Sequence, residues 1–96
     1  MKFEWDAAKD RSNQRKHGLS FGEAQCHFDS GANYLEIFDE IHSISEDRYI
    51  GIGWVSRGVV VVVYTVQDDD CVRIIGARFA TRAEQELYRT YMDEER

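Results

Sequence analysis

Residues 59–66 read Val-Val-Val-Val-Val-Tyr-Thr-Val, and this run decides the fold class. All but Tyr64 are β-branched, and no polar residue alternates with the apolar ones, which predicts a central strand covered on both faces. Working outward, Ser56-Arg57-Gly58 reads as a hairpin loop and 67–70 as the next turn. They are flanked by two more extended runs, 48–55 (Arg-Tyr-Ile-Gly-Ile-Gly-Trp-Val) and 72–79 (Val-Arg-Ile-Ile-Gly-Ala-Arg-Phe). A fourth segment, 34–38, alternates imperfectly. Together they predict a four-stranded antiparallel meander, with a further short strand possible at 2–5.

Helix signals bracket the strands. Asp6 stands where an N-cap belongs and Gly18 where a C′ residue belongs, which predicts a helix over Ala7–His17. Ser20-Phe21-Gly22-Glu23 forms a capping box, and Phe21, Ala24 and Phe28 lie roughly on one face of a second helix ending near 29–31. Thr81-Arg82-Ala83-Glu84 is another capping box, opening a C-terminal helix whose Leu87, Tyr88 and Tyr91 share a core-facing side. The expected architecture is α+β: two N-terminal helices, a four-stranded antiparallel sheet and a C-terminal helix.

Ninety-six residues with 43% apolar and 12% aromatic content suffice for one domain and exclude disorder as the default. The chain has no proline, linker or repeat, and reads as one compact unit spanning 1–96. No apolar stretch approaches a bilayer span, and the opening residues lack a signal-peptide core. With two cysteines and no disulfide framework, the expected setting is the cytoplasm, with no membrane partner.

A net charge of −6 argues against a protein that binds nucleic acid over its whole surface. The charge is uneven, however. Residues 1–21 carry five Lys/Arg against three Asp/Glu, residues 22–47 carry seven acids and no Lys/Arg, and residues 71–92 carry four Arg against two Glu. The two basic blocks can converge on one anion-binding face.

The first helix is the most informative segment for chemistry, because it holds no apolar residue larger than alanine. Lys9, Asn13, Lys16 and His17 recur at i, i+4, i+7 and i+8 and crowd one side. A Lys/His pair at a helix end can hold a phosphate and move a proton, since an unperturbed imidazole titrates near ~6.5. The same residues equally describe a solvated helix with a capping histidine.

Strand arginines form a second cluster. Period-2 spacing puts Arg48, Ile50, Ile52 and Trp54 on one face, and Arg78 with Val72, Ile74 and Gly76, opposite Arg73. Arginine at a strand end suits phosphate or a rim salt bridge. Gly76 marks either a close approach or a bulge. His17, His27, His42, Cys26 and Cys71 lack zinc-type spacing, so no metal or cofactor is expected. Asp68-Asp69-Asp70 is ordinary turn composition. Gly-rich phosphate loops, nucleophile elbows and RNA-binding aromatic signatures do not occur.

Across nearly the whole chain the sequence resembles the BrnT family of bacterial toxins. Its opening carries Phe3-Glu4-Trp5-Asp6, Lys9, Asn13, Lys16-His17-Gly18, Phe21, Glu23-Ala24 and Phe28-Asp29. Its remainder carries Arg48-Tyr49-Ile50-Gly51-Ile52-Gly53, Val62-Val63-Tyr64-Thr65, Arg73-Ile74-Ile75-Gly76-Ala77-Arg78, Ala80-Thr81, Glu84 and Tyr88. The chain departs from the family at Gly76 (often Ser), Ser30 (often an acid) and Trp54 (often Arg).

The resemblance implies a RelE-like ribonuclease fold and the toxin half of a type II toxin–antitoxin pair. Such a toxin cuts RNA and blocks translation. Its implied partner is a BrnA-like antitoxin with a ribbon-helix-helix domain, through which alone operator DNA is reached. Metal-independent RNA cleavage needs a base for the 2′-OH, an acid for the leaving 5′-oxygen and cations around the phosphorane. His17 is the expected proton carrier, with Lys9, Lys16, Arg48 and Arg78 around the phosphate, Asn13 orienting the site, and Tyr49 or Trp54 stacking on a base. Asn13 and His17 can instead serve to tie the first helix to the sheet. One alternative is an inactive toxin-fold module acting with an antitoxin as co-repressor. Another is a ribosome or tRNA blocker that binds without cutting.

Overall fold

The computed structural model describes residues 1–29, 34–67 and 70–94. Ser30, Asp68, Asp69 and positions 30–31, up to which the sequence places the end of the second helix, lie outside them. Among the described residues eight elements follow in order: β1 (Lys2–Glu4), α1 (Ala7–His17), α2 (Phe21–Asp29), β2 (Leu35–Phe38), β3 (Tyr49–Val55), β4 (Gly58–Gln67), β5 (Cys71–Phe79) and α3 (Arg82–Glu94). Among the described residues no helix is long and apolar enough to cross a membrane.

The valine run lies inside β4, the middle strand of a sheet ordered β1-β5-β4-β3-β2. One face of β4 gives Val60, Val62 and Tyr64 to a core with Leu19, Phe21 and Ala24 from the α1–α2 corner. The other gives Val61 to a smaller core with Ile52 and Tyr88 of α3. The helices therefore flank the sheet on both sides, which is what an unbroken β-branched strand requires.

The sheet has five strands and is mixed, not the expected four-stranded antiparallel meander. β2 to β5 form that meander, but β1 adds an edge by pairing parallel to β5, with Lys2↔Cys71, Phe3↔Val72 and Glu4↔Arg73. A parallel partner lies across a long connection, so no local turn signal announces it.

A β-bulge makes a second correction. Tyr64 pairs with Ile74 and Val63 with Gly76, leaving Ile75 as the extra residue. Past the bulge the side chains change face, so Ala77 joins Ile74 in the larger core. Arg78, opposite Val61, shares its face with Arg73, opposite Thr65, and not with Val72 and Ile74. On α3, Tyr88 is buried and Met92 packs half-buried against the same core, while Leu87 is 48% exposed.

Gly51 and Gly53 face His27 of α2, whose ring is fully buried between Phe28 and Tyr34 at centroid distances of 4.5 Å. Burial lowers the imidazole pKa to about 4. The unfolded chain, with an ordinary value near ~6.5, binds the proton first, so stability falls as pH drops from about 6.5 towards 4. The loss expected from His27 is about 3 kcal/mol. Denaturant midpoints between pH 7 and 4.5 check this. A folded His27→Gln variant with an equally steep slope would contradict it.

Candidate functional site on the first helix

Helix α1 is well capped and poorly buried. Asp6 Oδ1 accepts from the backbone N–H groups of Ala8 (2.8 Å) and Lys9 (3.1 Å), which hold its carboxyl below the usual range. Gly18 closes the helix at φ 67°, its N–H donating to the Gln14 carbonyl at 2.9 Å. No residue of α1 is buried. Polar ties must therefore fix the helix on the protein.

Asn13 is the chief tie. Its Nδ2 donates to the carbonyls of Leu19 (2.8 Å) and Ala77 (2.7 Å), and its Oδ1 accepts from the Ala77 N–H at 3.2 Å. Three such bonds, at roughly 1 kcal/mol each, join the middle of α1 to β5. Asp10 Oδ1 adds a bond from the N–H of Phe21, the first residue of α2, at 2.9 Å.

The outward face of α1 and the bulge of β5 enclose an open depression of about 220 Å³ lined by Lys9, Ser12, Asn13, Lys16, His17 and Ile75. Lys9, Lys16 and His17 are exposed. Among the described residues neither ammonium sits in an ion pair, and the His17 ring makes no hydrogen bond. The lining thus offers two ammonium groups outside any ion pair among the described residues, one imidazole and no carboxylate. Such a set attracts an anion and repels a divalent cation. Among the described residues no group of three or more His, Cys, Asp or Glu could hold a metal ion.

Of the eight residues singled out in the sequence, four meet here: Lys9, Asn13, Lys16 and His17. The other four do not line the groove. Arg48 precedes β3, its N–H bonded to Ser43 Oγ at 2.9 Å and its Nη2 4.0 Å from Glu46. Tyr49 stacks on Tyr64 at 5.9 Å and meets Phe38 edge-on at 5.6 Å. Trp54 is 55% exposed on the α3 side of the sheet. Arg78 donates both arms of its guanidinium to Glu84 at 2.7 Å. That bidentate pair holds the Glu84 carboxyl down to about 2, helped by the Thr81 cap.

Ser12 and Ile75 are additions to the sequence reading. Ser12 stands three residues after Lys9 and four before Lys16, so helical spacing alone places it on their face. Ile75 reaches the groove because it is the bulged residue, which no period-2 count can anticipate. A Cβ on Gly76 would meet nothing within 4 Å, so the glycine accompanies the bulge and is not demanded by a close approach.

The family model for the ribonuclease toxin BrnT of type II toxin–antitoxin systems matches residues 5–84. Among solved structures, the 1.1 Å crystal structure of the Brucella abortus ribonuclease toxin BrnT is similar at 26% identity and a TM-score of 0.66. The similarity covers 85% of this chain and 99% of that one. No curated protein matches the chain. The matched segment spans the whole α1 groove and every strand of the meander, and the chain belongs to the BrnT family of ribonuclease toxins of type II toxin–antitoxin systems.

Proposed function

We propose that the α1 groove is the active site of a metal-independent endoribonuclease that blocks translation. The supporting observation is the convergence of Lys9, Lys16 and His17, all exposed and unpaired among the described residues, on one open depression. In this mechanism the His17 imidazole takes the 2′-OH proton and the 2′-oxygen attacks the adjacent phosphorus. Lys9 and Lys16 meet the charge that grows on the phosphorane oxygens. Lys16 delivers a proton to the departing 5′-oxygen, leaving a 2′,3′-cyclic phosphate and a 5′-hydroxyl. Asn13 acts as a positioning residue that keeps α1 on β5.

Arg48 and Arg78 lie outside the groove beside acidic partners, and serve flanking phosphates when RNA displaces Glu46 or Glu84. Exposed Trp54 and the aromatic Tyr49 provide stacking surfaces. The wider reading is a RelE-like toxin of the cytoplasm, neutralised by a BrnA-like ribbon-helix-helix antitoxin through which alone it reaches operator DNA.

The termini of the products test the chemistry. Purified, antitoxin-free protein incubated with RNA in excess EDTA is expected to leave 2′,3′-cyclic phosphate and 5′-hydroxyl ends. Ends bearing a 3′-hydroxyl and a 5′-phosphate would contradict attack by the 2′-oxygen. RNA left intact, both alone and in a translating extract that stays active, would favour the inactive co-repressor.

A further inference from the structure

The residue that follows His17 is held by a side chain from a distant hairpin. Arg57, in the β3–β4 turn, donates Nε and Nη2 to the two carboxylate oxygens of Glu23 on α2, both at 2.6 Å. The same Nη2 donates to the Gly18 carbonyl at 2.7 Å, and the guanidinium carbon lies 5.1 Å from the centre of the Phe79 ring. One planar group thus joins the end of α1, the first turn of α2, the hairpin tip and β5. Its own position is fixed by the carboxylate fork and the ring beneath it.

Helix α1 depends on such ties because it buries no side chain. Asn13 anchors its middle and Asp10 bonds to the start of α2, while Arg57 holds the peptide just beyond its last residue. A helix end frays unless its terminal carbonyls find donors. His17 is that end. Its ring keeps its place beside Lys9 and Lys16 in the groove lining only if the last turn holds.

We propose that Arg57 is a positioning residue for the active site, holding His17 in register with the phosphate-binding lysines through the Gly18 carbonyl. This rests on the reading of His17 as the proton carrier. Glu23 belongs to the same device. The Ser20 half of the capping box is formed, with the Glu23 N–H on Ser20 Oγ at 3.0 Å, but the Glu23 carboxylate accepts from Arg57. Arg57 lies 39 residues along the chain from the carbonyl it holds.

The test combines kinetics with the His17 ring resonances in NMR spectra of the full chain. Arg57→Ala, folded at the assay temperature, is expected to lower kcat about 10- to 100-fold with KM within about twofold, as misplacement of a reacting group does. The His17 resonances should shift or broaden while those of His42, in a separate loop, stay in place. Arg57→Lys, which keeps the charge but loses the fork, should fall between wild type and Arg57→Ala. Arg89→Ala, on the outer face of α3, should match wild type. Unmoved His17 resonances in Arg57→Ala would overturn the inference whatever the activity, and so would a loss carried wholly by KM. Full cleavage by His17→Ala would sink the catalytic reading itself, while the resonances would still report whether Arg57 fixes the ring.

Discussion

His17→Ala is expected to lower the rate of RNA cleavage by roughly 10²- to 10⁴-fold, the usual worth of a positioned general base. The protein should remain folded, because the His17 ring is exposed and makes no hydrogen bond among the described residues. Surface substitutions of this kind ordinarily change stability by less than about 0.5 kcal/mol. The loss should fall on kcat, since Lys9 and Lys16 remain to hold the phosphate. A cleavage assay on a short oligonucleotide, with melting curves of both proteins, measures both quantities. An unchanged melting temperature with unchanged cleavage would remove His17 from the mechanism.

The second large effect concerns the glycines of β3. A Cβ at Gly53 would lie 2.7 Å from His27 Cδ2 and 2.8 Å from Tyr34 Cβ. At Gly51 it would lie 2.8 Å from His27 Cε1. The obstacle is a fully buried ring packed against Phe28 and Tyr34, so it cannot swing aside. Gly53→Val is expected to destabilise the fold by about 3 kcal/mol or more, the upper range for overpacking. For a domain of this size that lowers Tm by about 12 °C or more. His27→Ala in the Gly53→Val background should recover part of the loss, because the two side chains compete for one space. A Gly53→Val protein that melts with wild type would show that α2 can withdraw from β3 at no cost.

These two sites differ in how far the sequence reveals them. The helix face carrying Lys9, Asn13, Lys16 and His17 is legible because helical spacing is local and the caps at Asp6 and Gly18 fix its phase. The central strand is legible from its unbroken β-branched run, and the start of α3 from the Thr81/Glu84 box, whose two bonds form at 3.2 and 2.8 Å. What escapes is whatever depends on a distant partner. β1 finds β5 across the chain, and the bulge at Ile75 turns Arg78 away from the face that simple alternation assigns it. Spacing cannot tell that Arg78 is taken up by Glu84, although a strand-end arginine suits a rim salt bridge as well as a phosphate. Nor can it show that Gly51 and Gly53 make room for His27, because that contact exists only once α2 lies on β3.

Asn13 shows how the two kinds of information combine. Its spacing puts it among the candidate site residues, and its three bonds to the backbone show that it also secures the helix. Structural tie and site residue are here one side chain, because a helix without a buried face has no other way to keep its outward residues in place.

The most direct test of the central claim is cleavage of RNA by purified, partner-free protein in excess EDTA, with His17→Ala run beside it. Wild-type cleavage with cyclic-phosphate ends, lost in the folded variant, is the predicted result. Cleavage that EDTA abolishes, or that His17→Ala retains in full, would contradict a metal-independent site on the first helix.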